Sequence, residues 1–105
     1  MLVRDAIGTT LRRLRLEQGK TLRALAGESL VSLPYLSEIE RGRKEASSEI
    51  LASLCRALEV PVVLVLHDAS DQLAADERAV VQLRSIEERE FTASAHDSEA
   101  MLLAA

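Results

Sequence analysis

Apolar residues over the first 66 positions recur at the helical period, and no stretch alternates as a half-buried strand would. In residues 3–18, Ile7, Leu11 and Leu14 fall at i, i+4 and i+7 with Arg12, Arg13 and Arg15 around them, and Gly19 supplies a stop. Thr21 is placed to cap a second helix whose Leu22, Leu25 and Ala26 share one face. Ser32 is placed to cap a third, with Pro34 in the first turn, where a missing N–H costs nothing. Leu36 and Ile39 then face inward, and Gly42 ends the helix. Ser47 opens a fourth helix with Glu49 at the positive end of its dipole, and Leu51, Leu54, Cys55 and Leu58 follow at i, i+3, i+4 and i+7. Pro61 starts a short fifth helix over Val62 to Leu66, for which a buried strand is the rival because β-branched residues are common there.

Beyond His67 the character changes. Residues 70–90 lack Gly and Pro, are rich in Ala, Glu, Arg and Gln, and predict a sixth helix. Its apolar stripe, Leu73, Val80, Leu83 and Ile86, is broken by Asp76 and Glu77. Such a stripe packs either on its own domain, through Leu64 and Leu66, or on a second copy of the chain. Residues 91–105 mix Ser, Ala, Thr and acids, and predict a flexible tail. The expected fold is all-α: a five-helix domain over 1–66, an additional C-terminal helix within 67–90, and the tail.

The composition, 48% apolar with four Gly and two Pro in 105 residues, excludes collagen-like, Pro-rich and wholly disordered chains. One Tyr, one Phe and no Trp leave aliphatic side chains to build the core. The longest uncharged apolar run, Val60 to Leu66, is far short of the ~20 residues that cross a bilayer. No signal peptide opens the chain, so a cytoplasmic protein with no membrane partner is expected. The lone Cys55 excludes an internal disulfide and a Cys-based zinc site, and its spacing is that of a core residue; no metal or cofactor is expected.

A net charge of −4 speaks against nucleic acid until its distribution is considered. Residues 1–44 carry nine Lys or Arg against five acids, whereas residues 45–105 carry four against twelve. Salt screens charges beyond about 8–10 Å, so a basic front can meet a polyanion despite an acidic rear.

The informative stretch is Leu22 to Arg41, LRALAGESLVSLPYLSEIER. It reads as two short helices joined by a tight turn around Ser29 to Ser32, with Ala26 where they cross. Val31, Leu36 and Ile39 would fix the second on the first. Leu33, Pro34, Ser37, Glu38 and Arg41 are left on an outer face that fits the ~12 Å major groove. An ordinary helical hairpin accounts for the same spacing.

With its flanks, this segment resembles the lambda-repressor-like helix-turn-helix family of xenobiotic-response-element type. The matching pieces are Leu11-Arg12-Arg13-Leu14-Arg15, Gly19-Lys20-Thr21-Leu22, Leu25-Ala26, Val31-Ser32, Tyr35 through Arg43, and Leu51, Leu54, Ala57 and Leu58. The block Tyr35 to Glu49 is further similar to the Clp-gene regulators of actinobacteria, activators of genes for the Clp protease and other proteostasis functions. Two departures stand out. The family's turn often carries Gly where this chain has Leu30, so the turn is expected to take another conformation. The Gln that often starts the second helix is Leu22 here, which removes one polar contact.

The resemblance implies base reading by Ser32, Leu33, Pro34, Ser37 and Glu38. Ser37 can donate or accept at a base edge, Glu38 can accept from a cytosine amino group, and Leu33 and Pro34 suit a thymine methyl. Glu38 can equally serve as a surface acid paired with Arg41 or Arg43. Thr21, Arg23, Tyr35, Arg41, Arg43 and Lys44 are expected at phosphates, with Tyr35 as a surface-groove filler the alternative. Among Arg12, Arg13 and Arg15, at least one is expected to pair structurally with Glu40 or Glu17.

The resulting expectation is a transcription regulator, more an activator than a repressor, that binds double-stranded DNA at a palindrome. It would act as a homodimer through Leu73, Val80, Leu83 and Ile86, with RNA polymerase as a further partner. An antitoxin-like or adaptor domain whose main partner is a protein is the rival. An enzyme is not expected, because His67, Asp68 and His96 have no Ser or Cys nucleophile at an informative spacing. The terminal Leu103-Ala104-Ala105 resembles the end of the bacterial tmRNA-encoded tag, which implies a degradation signal read by Clp protease.

Overall fold

A computed structural model describes the backbone of residues 1–104 and the side chains of residues 1–90. Among the described residues all regular structure is helical. The helices are α1 (Val3–Glu17), α2 (Leu22–Ser29), α3 (Leu33–Glu40), α4 (Ser48–Ala57) and α5 (Val62–Ala104). Residues 1–74 form one compact unit and residues 75–105 a second. The expected tail and its Leu103, Ala104 and Ala105 lie outside the described side chains.

The helix starts follow from local chemistry. Thr21, Ser32 and Ser47 each accept a hydrogen bond from the backbone N–H three residues on, Ala24, Tyr35 and Ile50, at 3.0, 3.3 and 3.2 Å. Asp5 closes the start of α1 by accepting from the Leu2 N–H at 2.7 Å. Between these caps, Leu11, Leu25, Leu36, Ile39, Leu54, Leu58 and Val65 are buried in one aliphatic core. Each such side chain contributes on the order of 1.5–3 kcal/mol by leaving water. Through this core α3 packs against both α1 and α2, and α2 against α4. Ala26 is buried among these residues, as expected of a small side chain at a crossing.

Two backbone features set the geometry of α3. At Gly8 on α1 the helix lies directly on the last turn of α3, where a Cβ would collide with the Ile39 carbonyl oxygen. At Leu30 the turn between α2 and α3 takes a left-handed conformation, φ 58° and ψ 30°. The expectation that Leu in place of Gly would force a different turn is therefore corrected. The N–H groups of Leu30 and Val31 both donate to the Ala26 carbonyl, the latter at 3.1 Å, which holds the left-handed turn against the steric preference of a Cβ.

The fifth and sixth predicted helices are one. No Gly or Pro follows Pro61, so the compositional change at His67 is not a backbone stop. The strand alternative for Val62 to Leu66 fails for a geometric reason. Val65 and Ala69, four apart, are buried, while Val63, Leu64 and Leu66 are exposed, a helical and not an alternating pattern.

The start of α5 is clasped to α1 by a polar cluster. The buried Thr10 hydroxyl donates to Asp68 Oδ2 at 2.7 Å and accepts from Gln72 Nε2 at 2.6 Å. Arg13 reaches the same carboxylate at 3.0 Å. The Thr10 hydrogen bond first, and then Arg13, hold the Asp68 carboxyl below the usual carboxylate range. Asp68, weighed above as a catalytic group, is thus a structural one. Cys55 lies in the core, where burial pushes its thiol pKa up and away from the reactive thiolate.

Candidate nucleic-acid interface

The charges of α1 divide by what they meet. Arg15 is buried and forks onto Glu40 of α3, with Nε and Nη2 each 2.9 Å from a carboxylate oxygen and Nη1 donating to the Lys20 carbonyl. Arg13 pairs with Glu17 at 2.9 Å as well as with Asp68. The expected structural pairing with Glu40 or Glu17 is therefore present twice. Arg12 differs: it is exposed, makes no ion pair among the described residues, and borders a cleft with Leu22, Ser37 and Arg41. Local spacing pairs Arg13 with Glu17, but only the packing of α3 and α5 on α1 shows that Arg15 and Arg13 also meet Glu40 and Asp68 and that Arg12 is left over.

With Gly8 letting α1 lie on its last turn and Arg15 of the same helix holding Glu40 there, α3 buries Leu36, Ile39 and Glu40 and presents the rest of its surface outward. Ser32 and Pro34 are exposed, and Ser37 and Glu38 are half-buried. The Ser32 hydroxyl also serves as the cap of α3. Leu33 is only partly available, since it packs against the core. Glu38 lies 3.9 Å from Arg43, so the surface-pair reading and an outward-facing acceptor coexist in one side chain. Leu22 at the start of α2 is likewise packed on the core and offers no polar group.

Around α3 the cations are left for solvent. Thr21 is exposed with its oxygen used as the α2 cap. Arg23, Arg41 and Lys44 are exposed and, among the described residues, form no ion pair. Arg43 is exposed apart from its long approach to Glu38. Tyr35 departs from expectation. Its hydroxyl donates to the Glu45 backbone carbonyl at 2.7 Å, so the only proton it has for a phosphate oxygen is already committed in this conformation.

On α5, Leu73 is half-buried, while Val80, Val81, Leu83 and Ile86 are all about half exposed or more. Among the described residues no single helix is long and apolar enough to cross a membrane. Among the described residues no group of His, Cys, Asp and Glu has the arrangement of a metal site.

This arrangement of α2, turn and α3 has clear relatives. Residues 6–67 match the helix-turn-helix domain family. The transcriptional regulator ClgR of Mycobacterium tuberculosis is 53% identical over 77 residues, 73% of this chain and 69% of the relative. The crystal structure of the clp gene regulator ClgR from Corynebacterium glutamicum superposes with a TM-score of 0.76 at 48% identity, covering 83% of this chain and 93% of that one. The restriction-modification controller protein C.Esp1396I, solved as a tetramer with its natural operator, shares the fold alone. Its TM-score is 0.64 at 24% identity, over 70% of this chain and 97% of that one. With the family model spanning more than half its length, the chain belongs to the helix-turn-helix transcriptional regulators of the ClgR type.

Proposed function

We propose that the chain binds a palindromic operator in double-stranded DNA as a homodimer, each α3 entering the major groove of one half-site. The observation that carries this reading is the contrast on α3 itself. Its inner side is fixed by core residues and a neutralised ion pair, while its outer side presents polar groups flanked by cations with no other use. Ser32, Leu33, Pro34, Ser37 and Glu38 then read base edges, with Leu33 contributing least because it is packed. Thr21, Arg23, Arg41, Arg43 and Lys44 meet phosphates and set the register.

One subunit reads only a few base pairs, and two related by a two-fold axis read half-sites about one helical turn apart. The exposed Val80, Leu83 and Ile86, with Leu73, supply the apolar surface for that pairing. The relative's description as a clp gene regulator supports a regulon that includes clp genes. Other proteostasis genes, and activation through RNA polymerase in the cytoplasm, belong to the same proposal. A terminal Leu103-Ala104-Ala105 recognised by Clp protease would close a feedback loop. Replacing Ala104 and Ala105 by Asp is expected to lengthen the cellular half-life, and an unchanged half-life would reject that signal.

Genomic footprinting followed by gel shifts tests the whole reading. With four phosphates neutralised per subunit by Arg23, Arg41, Arg43 and Lys44, log affinity of the dimer should fall with log salt at a slope near −7, at about −0.9 per contact. Arg41→Ala with Arg43→Ala should weaken binding to every sequence, whereas Ser37→Ala should change base preference. Footprints that are absent, or unaffected by all three changes, remove α3 from the groove.

A further inference from the structure

The segment 42–45, which leaves α3 and carries Arg43 and Lys44, is gripped from two sides. From α3, the Tyr35 hydroxyl donates to the Glu45 carbonyl at 2.7 Å. From α1, Arg4 Nε donates to the Gly42 carbonyl at 2.9 Å, and its guanidinium lies 3.7 Å from the Glu45 carboxylate. The segment's own backbone adds two bonds back to α3, Gly42 N–H to Ile39 at 3.0 Å and Arg43 N–H to Glu38 at 2.9 Å. Gly42 turns there at φ +73°, and a Cβ at this residue would strike Asp5 of α1, so the loop lies directly on the first turn of α1.

A loop of this kind holds long cationic side chains that gain from a phosphate only if their backbone is already in place. Ordering a rotamer-rich side chain and its loop at the moment of binding costs affinity that a pre-set loop keeps. We infer that Tyr35 and Arg4 are positioning residues for DNA: they touch no phosphate, and instead fix the 42–45 segment so that Arg43 and Lys44 do. This rests on the DNA reading above, and it assigns a role to Arg4, which the motif pattern does not single out. It also explains why the one Tyr of the chain stands on α3 with its hydroxyl turned toward the chain's own backbone. The aromatic ring carries that hydroxyl across from α3 to the loop.

The test is a double-mutant cycle on a fluorescent duplex that the wild-type chain selects from a random-sequence pool, read by anisotropy over a range of salt. Tyr35→Phe keeps the ring and removes only the hydroxyl. It is expected to weaken binding about fivefold, the worth of one neutral hydrogen bond, and to make the salt slope shallower. In a chain already carrying Arg43→Ala and Lys44→Ala, the same Tyr35→Phe change is expected to have no effect, since nothing is left to position. Arg4→Met should behave in the same way, through the other grip. Equal losses in both backgrounds would mean that Tyr35 acts on the DNA directly, and no loss in either would mean that the grip is irrelevant to binding. Both outcomes overturn the positioning role while leaving the DNA reading intact. A wild-type chain that selects no duplex overturns both together.

Discussion

Arg15 of α1 and Arg41 at the end of α3 border the same cleft, yet their surroundings differ in kind. Arg15 is buried, its guanidinium matched atom for atom to Glu40 and the Lys20 carbonyl. Arg41, one residue beyond Glu40, is exposed and has no anionic partner among the described residues. The same division runs through the neighbouring charges. Arg13 is absorbed by Glu17 and Asp68, while Arg23 and Lys44 form no ion pair among the described residues. The interior is self-satisfied, with no buried side-chain polar atom lacking a partner among the described residues. The rim of α3 is not, and its unpaired charge is what an external polyanion can use. Arginines that the fold uses and arginines that it leaves open are thus told apart by whether a partner is already present, and not by residue type or by helix.

That comparison can be broken at either end. Removing Arg15 should have the largest effect on stability, because Glu40 would be left as a buried, unpaired carboxylate. Arg15→Ala is expected to cost about 3–5 kcal/mol in chemical denaturation, and a loss within that of a surface change would show that the pair does not hold α3. Asp68→Asn tests the clasp on α5 and carries a pH signature. The folded carboxyl is held below its usual range, so its stabilisation is complete above about pH 4 and is lost as pH falls through the lowered folded value. The variant should be about 1–2 kcal/mol less stable at neutral pH, with the gap closing in acid. A gap that stays constant with pH would remove the ionic part of the clasp.

Smaller changes sharpen the picture. Leu30→Gly relieves a left-handed residue whose side chain is almost wholly in solvent, and is expected to raise stability by about 1 kcal/mol in thermal unfolding. At the far end of the series, Arg41→Ala with Arg43→Ala should leave stability within about 0.5 kcal/mol of the wild type while weakening DNA binding. Calorimetry and gel shifts on the same preparation would separate the two effects, and a matching loss of stability would make these arginines structural after all.

The sequence by itself determined the helix starts and the inward faces. Thr21, Ser32 and Ser47 cap where their positions require, and the periodic Leu and Ile residues of α1 to α4 supply most of the core. These features depend on neighbours within one or two turns, so a local pattern carries them. The outward edge of α3 was legible for the same reason, as the complement of its buried stripe. What tertiary structure decided is every feature fixed by which elements meet. Local spacing does not reveal that Gly8 is where α1 lies against α3, or that Thr10 and Gln72 share Asp68. It does not reveal that Leu30 is held in a Gly-like turn, or that Tyr35 gives its proton to a loop carbonyl ten residues away. The continuity of α5 through His67 is decided by the backbone, which the change of surface composition there does not interrupt. A side chain's partner, and hence whether its charge or hydroxyl remains available to DNA, is a property of distance in space, which the order of residues along the chain does not state.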